Sequence, residues 1–434
     1  MELKKVEGIN FIDGGVCASK GFKANGIHCG LAHKPLTDTE KNSQHSNNAE
    51  PAFDNTKKKN DIALILADDI CNTVAVYTTN KVKGAPIQVT KNHIQNGKAR
   101  AVIVNSVNAN TCNADGVEKA EKMCSLVAEE LGIDENDVVV ASTGVIGQIL
   151  PIEPIANGMK SLCEGLTYDG NARAVEAIMT TDTMPKEIAV EFELCGKKCV
   201  MGGMLKGSGM IHPNMATTLT FITTDANISS ELLQRALSDV VKVTLNRVSV
   251  DGDTSTNDMV CVMASGLCGN KIIDCEDNEF ENFRNALYAV MMNLARMMAR
   301  DGEGATKLIE CACVGAGSEK TAETVAKSVI TSSLFKTAMF GEDANWGRIL
   351  CAIGYSDANF DISKIDVNIG SSKGIIAVCR EGSGVEFSEE KAKEILQEEE
   401  IQIYISLNEG DCSAVAWGCD LTYDYVKING DYRS

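Results

Sequence analysis

The chain has 434 residues, 44% of them hydrophobic and 23% charged, which supports a sizeable core that needs no disulfide or metal staples. Against 41 Lys and Arg stand 60 Asp and Glu, a net charge of −19, and the densest basic run is only Lys57-Lys58-Lys59. That acid excess repels phosphate backbones and anionic lipid, so nucleic-acid and membrane-surface roles are excluded.

In chain order, the start Met1–Gly8 has no apolar stretch behind its basic pair and does not read as a secretory signal. No run approaches the roughly 18 apolar residues of a membrane span. Residues 8–33 are Gly-rich and turn-prone, and the polar stretch 36–60 reads as a disordered or surface insertion. Strands are predicted over 61–67, 73–77 and 101–105. A helix is predicted over 115–131, where Val117, Ala120, Cys124, Val127 and Leu131 recur at intervals of three and four. A short apolar strand over 138–142 runs into Thr143-Gly144-Val145-Ile146-Gly147. Segments 190–194 and 199–201 suggest a hairpin around Gly196-Lys197-Lys198, and 207–215 reads as a loop. A strand over 219–223 precedes a helix announced by the capping signal Asn227-Ile228-Ser229-Ser230-Glu231. The strongest helix spans 283–300. Strands follow over 366–369, 375–379 and 401–406, with a charged helix over 388–400. No internal repeat is visible, and the mixture predicts an α+β (mixed α/β) fold.

Seventeen cysteines lie scattered, without a CxxC pair or zinc-finger spacing to a histidine. They read as buried, reduced thiols of a cytoplasmic protein. The five histidines form no cluster, so no metal site is expected. Walker and GxGxxG loops are absent. One GxSxG occurs at Gly370-Ser371-Ser372-Lys373-Gly374, but the apolar stretch behind it reads as a strand, so a hairpin turn is preferred to a hydrolase elbow. Asp251, Asp253 and Asp258 form an acidic cluster for which turn hydrogen bonding is preferred to a divalent cation. Met291, Met292, Met297 and Met298 read as core packing.

The chemistry concentrates in residues 202–219, where a Gly-rich segment carries Lys206, His212 and the hydroxyl pair Thr217-Thr218 at a strand entry. A Thr hydroxyl behind a small residue can attack the preceding carbonyl when the peptide is strained. The N–O acyl shift breaks the chain and frees an N-terminal threonine, whose α-amine then serves as its own general base. That amine has a reference pKa of about 7.7–8.0, and a nearby Lys206 ammonium would lower it. The bland alternative is a Gly-rich connection between two strands.

This segment resembles the self-cleavage segment of the ornithine acetyltransferase family, the bifunctional glutamate N-acetyltransferases/amino-acid acetyltransferases of arginine biosynthesis. Similar motifs run almost the length of the chain. They include Ala141-Ser142-Thr143-Gly144-Val145-Ile146-Gly147, Met179-Thr180-Thr181-Asp182-Thr183, the stretches 251–258, 300–307 and 339–348, and the C-terminal stretches 416–422 and 429–434.

The resemblance implies a DmpA/ornithine acetyltransferase-like fold in two intertwined halves. Cleavage would fall between Ala216 and Thr217, giving an α chain of 1–216, with 36–60 as an insertion, and a β chain of 217–434. Thr217 would be the nucleophile, with Thr143 and Gly144 forming the oxyanion hole. Thr180, Lys206, Thr217, Glu303, Asn429 and Ser434 would bind substrate, with Thr181 the alternative to Thr180. The implied activity moves acetyl from N-acetyl-ornithine to glutamate, with acetyl-CoA a possible further donor and no cofactor. Assembly would be a heterotetramer of two α and two β chains, in the cytoplasm, with small molecules as the other partners. Glu303 follows a long helix, where the dipole disfavours an anion, so another partner should hold it. Two features depart from the family pattern: the 36–60 insertion, and Val107 where glycine is usual. The alternatives are a self-processing N-terminal-threonine amidohydrolase or aminopeptidase, and a catalytically inactive binding protein of the same fold.

Overall fold

The apolar alternation of the sequence resolves into two mixed β-sheets in a computed structural model that describes residues 1–31, 59–212 and 218–430. The predicted insertion therefore lies almost wholly outside the described residues. In chain order the strands are β1 (Asn10–Ile12), β2 (Phe22–Ile27), β3 (Ile62–Tyr77), β4 (Lys98–Asn105), β5 (Val138–Ser142), β6 (Lys186–Leu194), β7 (Lys197–Lys206) and β8 (Leu219–Thr224). They continue as β9 (Val248–Ser249), β10 (Met259–Ala264), β11 (Leu308–Ala316), β12 (Asp366–Ser371), β13 (Gly374–Arg380), β14 (Ser383–Gly384), β15 (Glu400–Ser406) and β16 (Cys412–Cys419).

The first sheet runs β1-β6-β7-β8-β10-β3-β4-β5, with β2 also paired to β3. The second runs β14-β13-β12-β15-β11-β16-β9. Strands β8 and β10, from beyond residue 217, sit between β7 and β3 of the first half, so the two halves of the chain share one sheet.

Alternate residues of the first sheet enter different cores, as the pleat requires. Val102, Val104, Met259 and Cys261 pack with helix Asn171–Ile178 on one face. On the other face, Ala101 and Ile103 meet helices Gly116–Leu131 and Ile152–Glu164. On that same face Val260 and Val262 lie under helices Ser230–Val243 and Asn278–Arg300. Burial on both faces explains the unbroken apolar run of β5. The second sheet packs with helices Glu319–Thr331, Ser333–Phe340, Trp346–Gly354 and Glu389–Leu396 in a separate core. Among the described residues no helix is long and apolar enough to cross a membrane.

Several local signals behave as expected. Ser229 accepts from the Leu232 N–H at 3.3 Å and starts its helix. The β6–β7 hairpin turns on Cys195 and Gly196, both left-handed (φ 49° and 70°), the requirement of a type I′ turn. Residues 370–374 form the tip of the β12–β13 hairpin, as preferred over a nucleophile elbow.

Others differ. The predicted strands 61–67 and 73–77 are one strand, β3, whose exposed Asp68-Asp69-Ile70 lies at an irregularity between Leu66 and Cys71 in its pairing with β4. The long helix begins at Asn278 rather than 283, because Asp277 caps the Glu279 and Phe280 N–H groups. The helix predicted over 388–400 ends at Leu396. Pairing of Glu400 with Leu308 draws the chain into β15 instead.

A buried ion triad ties the first sheet to the long helix. The Lys186 ammonium, fully buried, lies 2.6 Å from Asp182 and 2.5 Å from Asp301. Lys186→Met would leave two buried carboxylates without the ammonium between them, and about 3–5 kcal/mol of stability is expected to be lost. Denaturant titration reads this directly, and an unchanged midpoint would contradict it.

Candidate active site

Strand β7 ends, and β8 and β10 begin, side by side, Lys206 pairing with Leu219 and Leu219 with Met259, and the turn after β5 meets them where Lys206 reaches Thr143. A cavity of about 280 Å³ opens there. It is lined by Thr143, Gly144, Thr180, Lys206, Glu303 and Asn429, which are the predicted site residues that lie within the described structure. Ala216, Thr217 and Ser434 fall outside the described residues. Thr218, next in the chain to Thr217, lines the same cavity, and its carbonyl accepts from the Met259 N–H at 2.8 Å.

The oxyanion candidates sit on a turn laced to its neighbour. Thr143 N–H donates to Asn105 (3.0 Å), and Val145 N–H donates to Val107 (3.1 Å). Between them the Gly144 N–H donates to no acceptor among the described residues, and Gly144 lines the cavity. Gly144 has φ 126°, and a Cβ there would stand 2.1 Å from the Val107 carbonyl oxygen. Glycine is thus required on two counts. Asn257 fixes the turn from below, donating to Ser142 O (2.9 Å) and Ala109 O (2.6 Å). Val107 needs no left-handed backbone; Asn110, at φ 50°, makes that turn instead. The departure from glycine at 107 is therefore accommodated.

Lys206, expected within the Gly-rich loop, is the last residue of β7 and is buried. Its ammonium donates to the Thr143 hydroxyl at 3.3 Å, leaving that hydroxyl's own proton to point elsewhere. Among the described residues it forms no ion pair. Burial pushes the Lys206 pKa down, and the carboxylate of Asp182 opposes the shift.

Glu303 finds the partners its position demanded. Its carboxylate accepts from Thr181 (2.7 Å) and Asn429 (2.7 Å). Its backbone N–H donates to Ser208 O at 2.9 Å. Thr180 turns back on Asp182, its N–H donating at 2.9 Å and its hydroxyl at 3.5 Å, while Thr181 engages Glu303 and Ser208. Both threonines line the cavity.

The loop leading toward residue 213 is held by Asp251, which accepts from Met210 N–H (2.6 Å), Ile211 N–H (2.9 Å) and Asp253 N–H (3.2 Å). This is the turn role preferred for that carboxylate. Asp258 is different: it is buried in the cavity wall, and its Oδ2 has no partner among the described residues. Burial holds its carboxyl well above the usual range, and the Lys206 ammonium opposes the shift.

Sequence reasoning missed the roles of Asp182 and Asn257. Asp182 accepts from Gly207 N–H at 2.7 Å as well as from Lys186. Burial works against its charge, but the Lys186 and Lys206 ammonium groups hold its carboxyl far below the usual range. It thereby sets the exit of β7 beside Lys206. Its only sequence signal was its place inside the Thr180–Thr183 motif.

Residues 49–434 match the model of the ArgJ family. The arginine biosynthesis bifunctional protein ArgJ of Caldanaerobacter subterraneus subsp. tengcongensis is 46% identical over 427 residues, covering 98% of this chain and 100% of that protein. Among solved structures, the arginine biosynthesis bifunctional protein ArgJ of Bacillus halodurans is 50% identical with a TM-score of 0.47, over 48% of this chain and 97% of that one. The ornithine acetyltransferase of Mycobacterium tuberculosis, complexed with ornithine, is 29% identical with a TM-score of 0.39, over 48% of this chain and 100% of that one.

Proposed function

The chain belongs to the ArgJ family, acetyltransferases of arginine biosynthesis, and we propose that its cleft moves acetyl from N-acetyl-ornithine to glutamate through an acetyl ester on Thr217. The observation that carries this reading is the convergence, beside Thr218, of an undonated Gly144 N–H, an ammonium without an ion pair at Lys206, and the Glu303 carboxylate. These are an oxyanion donor, a carboxylate anchor and an amine anchor around one point of the chain.

Self-processing comes first. The Thr217 hydroxyl attacks the Ala216 carbonyl, the peptide becomes an ester, and water cleaves it, leaving chains 1–216 and 217–434 and a free Thr217 amine. In the transfer, the α-carboxylate of N-acetyl-ornithine lies against Lys206 and the hydroxyls of Thr180 and Ser434. The Thr217 hydroxyl adds to the acetyl carbonyl while its own amine takes the proton. Gly144 N–H and the Thr143 hydroxyl hold the oxyanion, and ornithine leaves with the proton. Glutamate then enters, its amine attacks the ester, and N-acetylglutamate departs. Glu303, braced by Asn429 and Thr181, faces the amine of each amino acid. No cofactor is needed, and acetyl-CoA is a second acetyl donor to test. The two fragments pair as a heterotetramer of two α and two β chains in the cytoplasm, with no nucleic-acid or membrane partner.

Purified enzyme supplied with N-acetyl-ornithine and glutamate is expected to form N-acetylglutamate with the parallel double-reciprocal lines of a ping-pong reaction. Acetate release at the same rate with or without glutamate would overturn the reading in favour of an amidohydrolase.

Lys206 carries a pH signature. Its lowered pKa means that its charge is lost at a lower pH than the ordinary lysine value of about 10.4. Carboxylate binding needs that charge, so KM is expected to rise with pH ahead of an ordinary lysine's titration. Lys206→Arg stays charged and should abolish the alkaline rise. Lys206→Met should raise KM about tenfold or more, the worth of a charge-assisted hydrogen bond. An alkaline KM profile unchanged in Lys206→Arg would contradict the assignment.

A further inference from the structure

At the end of the first sheet opposite the cleft, three neighbouring strands bring together two thiols and a carboxylate. Cys199 lies near the start of β7, Asp225 follows β8, and Cys268 lies in the turn after β10. Their sulfur and oxygen atoms all lie within 4.8 Å of one another. The two sulfurs are 2.6 Å apart, nearer than two thiols sit by packing alone. Backbone bonds hold the arrangement: Cys268 N–H donates to Asp225 O at 2.7 Å, and Val200 N–H donates to Asp225 Oδ1 at 2.8 Å. Asp225 Oδ2 is buried and has no partner among the described residues.

We propose that Cys199 and Cys268 form a reversible disulfide by exchange with a small-molecule disulfide such as oxidised glutathione. The bond ties together the two fragments created by cleavage between Ala216 and Thr217. The second clause rests on the proposed self-processing, since Cys199 belongs to 1–216 and Cys268 to 217–434.

Access decides the order of steps. Cys268 is partly exposed and Cys199 is buried. The Cys268 thiol gives its proton to solvent, attacks glutathione disulfide and expels one glutathione thiolate, leaving a mixed disulfide. The Cys199 proton then passes to the neighbouring Asp225 carboxylate, whose Oδ2 has no partner among the described residues. Cys199 sulfur attacks Cys268 sulfur, the bond to glutathione breaks, and the second thiolate leaves and takes up the proton. In total two protein thiols are oxidised and one glutathione disulfide is reduced to two thiols. Burial raises the Asp225 carboxyl above the usual range, and it raises the Cys199 thiol as well, so the proton moves as Cys199 sulfur attacks. The same three groups are a poor fit to zinc: sulfurs each about 2.3 Å from a tetrahedral ion stand about 3.8 Å apart. In a reducing compartment such a bond is transient and responds to redox poise.

The test treats whole purified protein with oxidised glutathione, blocks free thiols with an alkylating agent, and compares gels with and without reductant alongside peptide mapping. The expected result without reductant is one band of full-length size that separates into two fragments with reductant, and a linked peptide pair containing Cys199 and Cys268. Cys199→Ser and Cys268→Ser should give two fragments in both lanes, and Asp225→Asn should slow cross-linking severalfold. Wild type that maps with both cysteines alkylated after oxidation would overturn the proposal, as would a stoichiometric metal ion released on alkylation. A chain that runs full length even with reductant defeats the cleavage reading instead, and presence or absence of the Cys199–Cys268 peptide still decides the disulfide.

Discussion

Thr217→Ala is expected to run as a single full-length band on a denaturing gel, where the wild type gives two fragments of nearly equal size. Transfer activity should fall by at least about 10⁴-fold, since removing a covalent nucleophile leaves only binding and the oxyanion hole. The substitution removes the hydroxyl that both cleaves the chain and accepts the acetyl group. It also prevents the α-amine from appearing, so the general base disappears with the nucleophile. The chain reaches Thr218 inside the cleft, with its carbonyl bonded to Met259 and its side chain to Thr220, and these anchors survive in the variant. Stability should therefore stay close to wild type while both chemical steps fail. Wild-type protein that runs uncut, or a variant that still transfers acetyl at the wild-type rate, would contradict the assignment.

Gly144→Ala should strike the oxyanion hole alone. The added methyl meets the Val107 carbonyl at 2.1 Å, and the backbone at φ 126° is strained for any side chain. Relief requires the 143–145 turn to move away from the 105–111 segment, which re-aims the one N–H that donates to nothing among the described residues. Loss of a single oxyanion donor costs about 10²–10³ in kcat, or about 2.7–4 kcal/mol of transition-state stabilisation. Because Lys206, Glu303 and Asn429 are carried by other elements, KM should change little. Steady-state kinetics separates the two parameters. A variant with wild-type kcat would remove Gly144 from the mechanism.

Much of this arrangement was readable because local physics and function coincide. The periodicity read over 115–131 and 283–300 marks buried helix faces, and the Asn227–Glu231 signal marks a true cap. The candidate site residues came from the resemblance of short motifs to a family, and those described line one cavity although Thr143 and Asn429 are distant in sequence. What was not legible depends on partners remote in the chain. Asp68-Asp69-Ile70 breaks the alternation of β3, so one strand reads as two; its continuity comes from pairing with β2, β4 and β10. Glu400 carries a helical pattern but pairs with Leu308, and tertiary pairing wins over propensity. The partners of Lys186, Asp182 and Asp301, span more than a hundred residues, and no spacing rule could join them. The cluster Asp251, Asp253 and Asp258 looked like one unit. It separates into a loop anchor at Asp251 and a cavity-wall carboxyl at Asp258.

The central claim is a covalent acetyl-threonine at the head of the second fragment, and intact-mass measurement tests it most directly. Wild-type enzyme is mixed with N-acetyl-ornithine in the absence of glutamate and quenched in acid. The account predicts one added acetyl group on the fragment that begins at Thr217, located to that residue by peptide fragmentation. The modification should vanish when glutamate is added before the quench. A fragment that stays unmodified, while ornithine is released only in the presence of glutamate, would mean direct transfer and contradict the account.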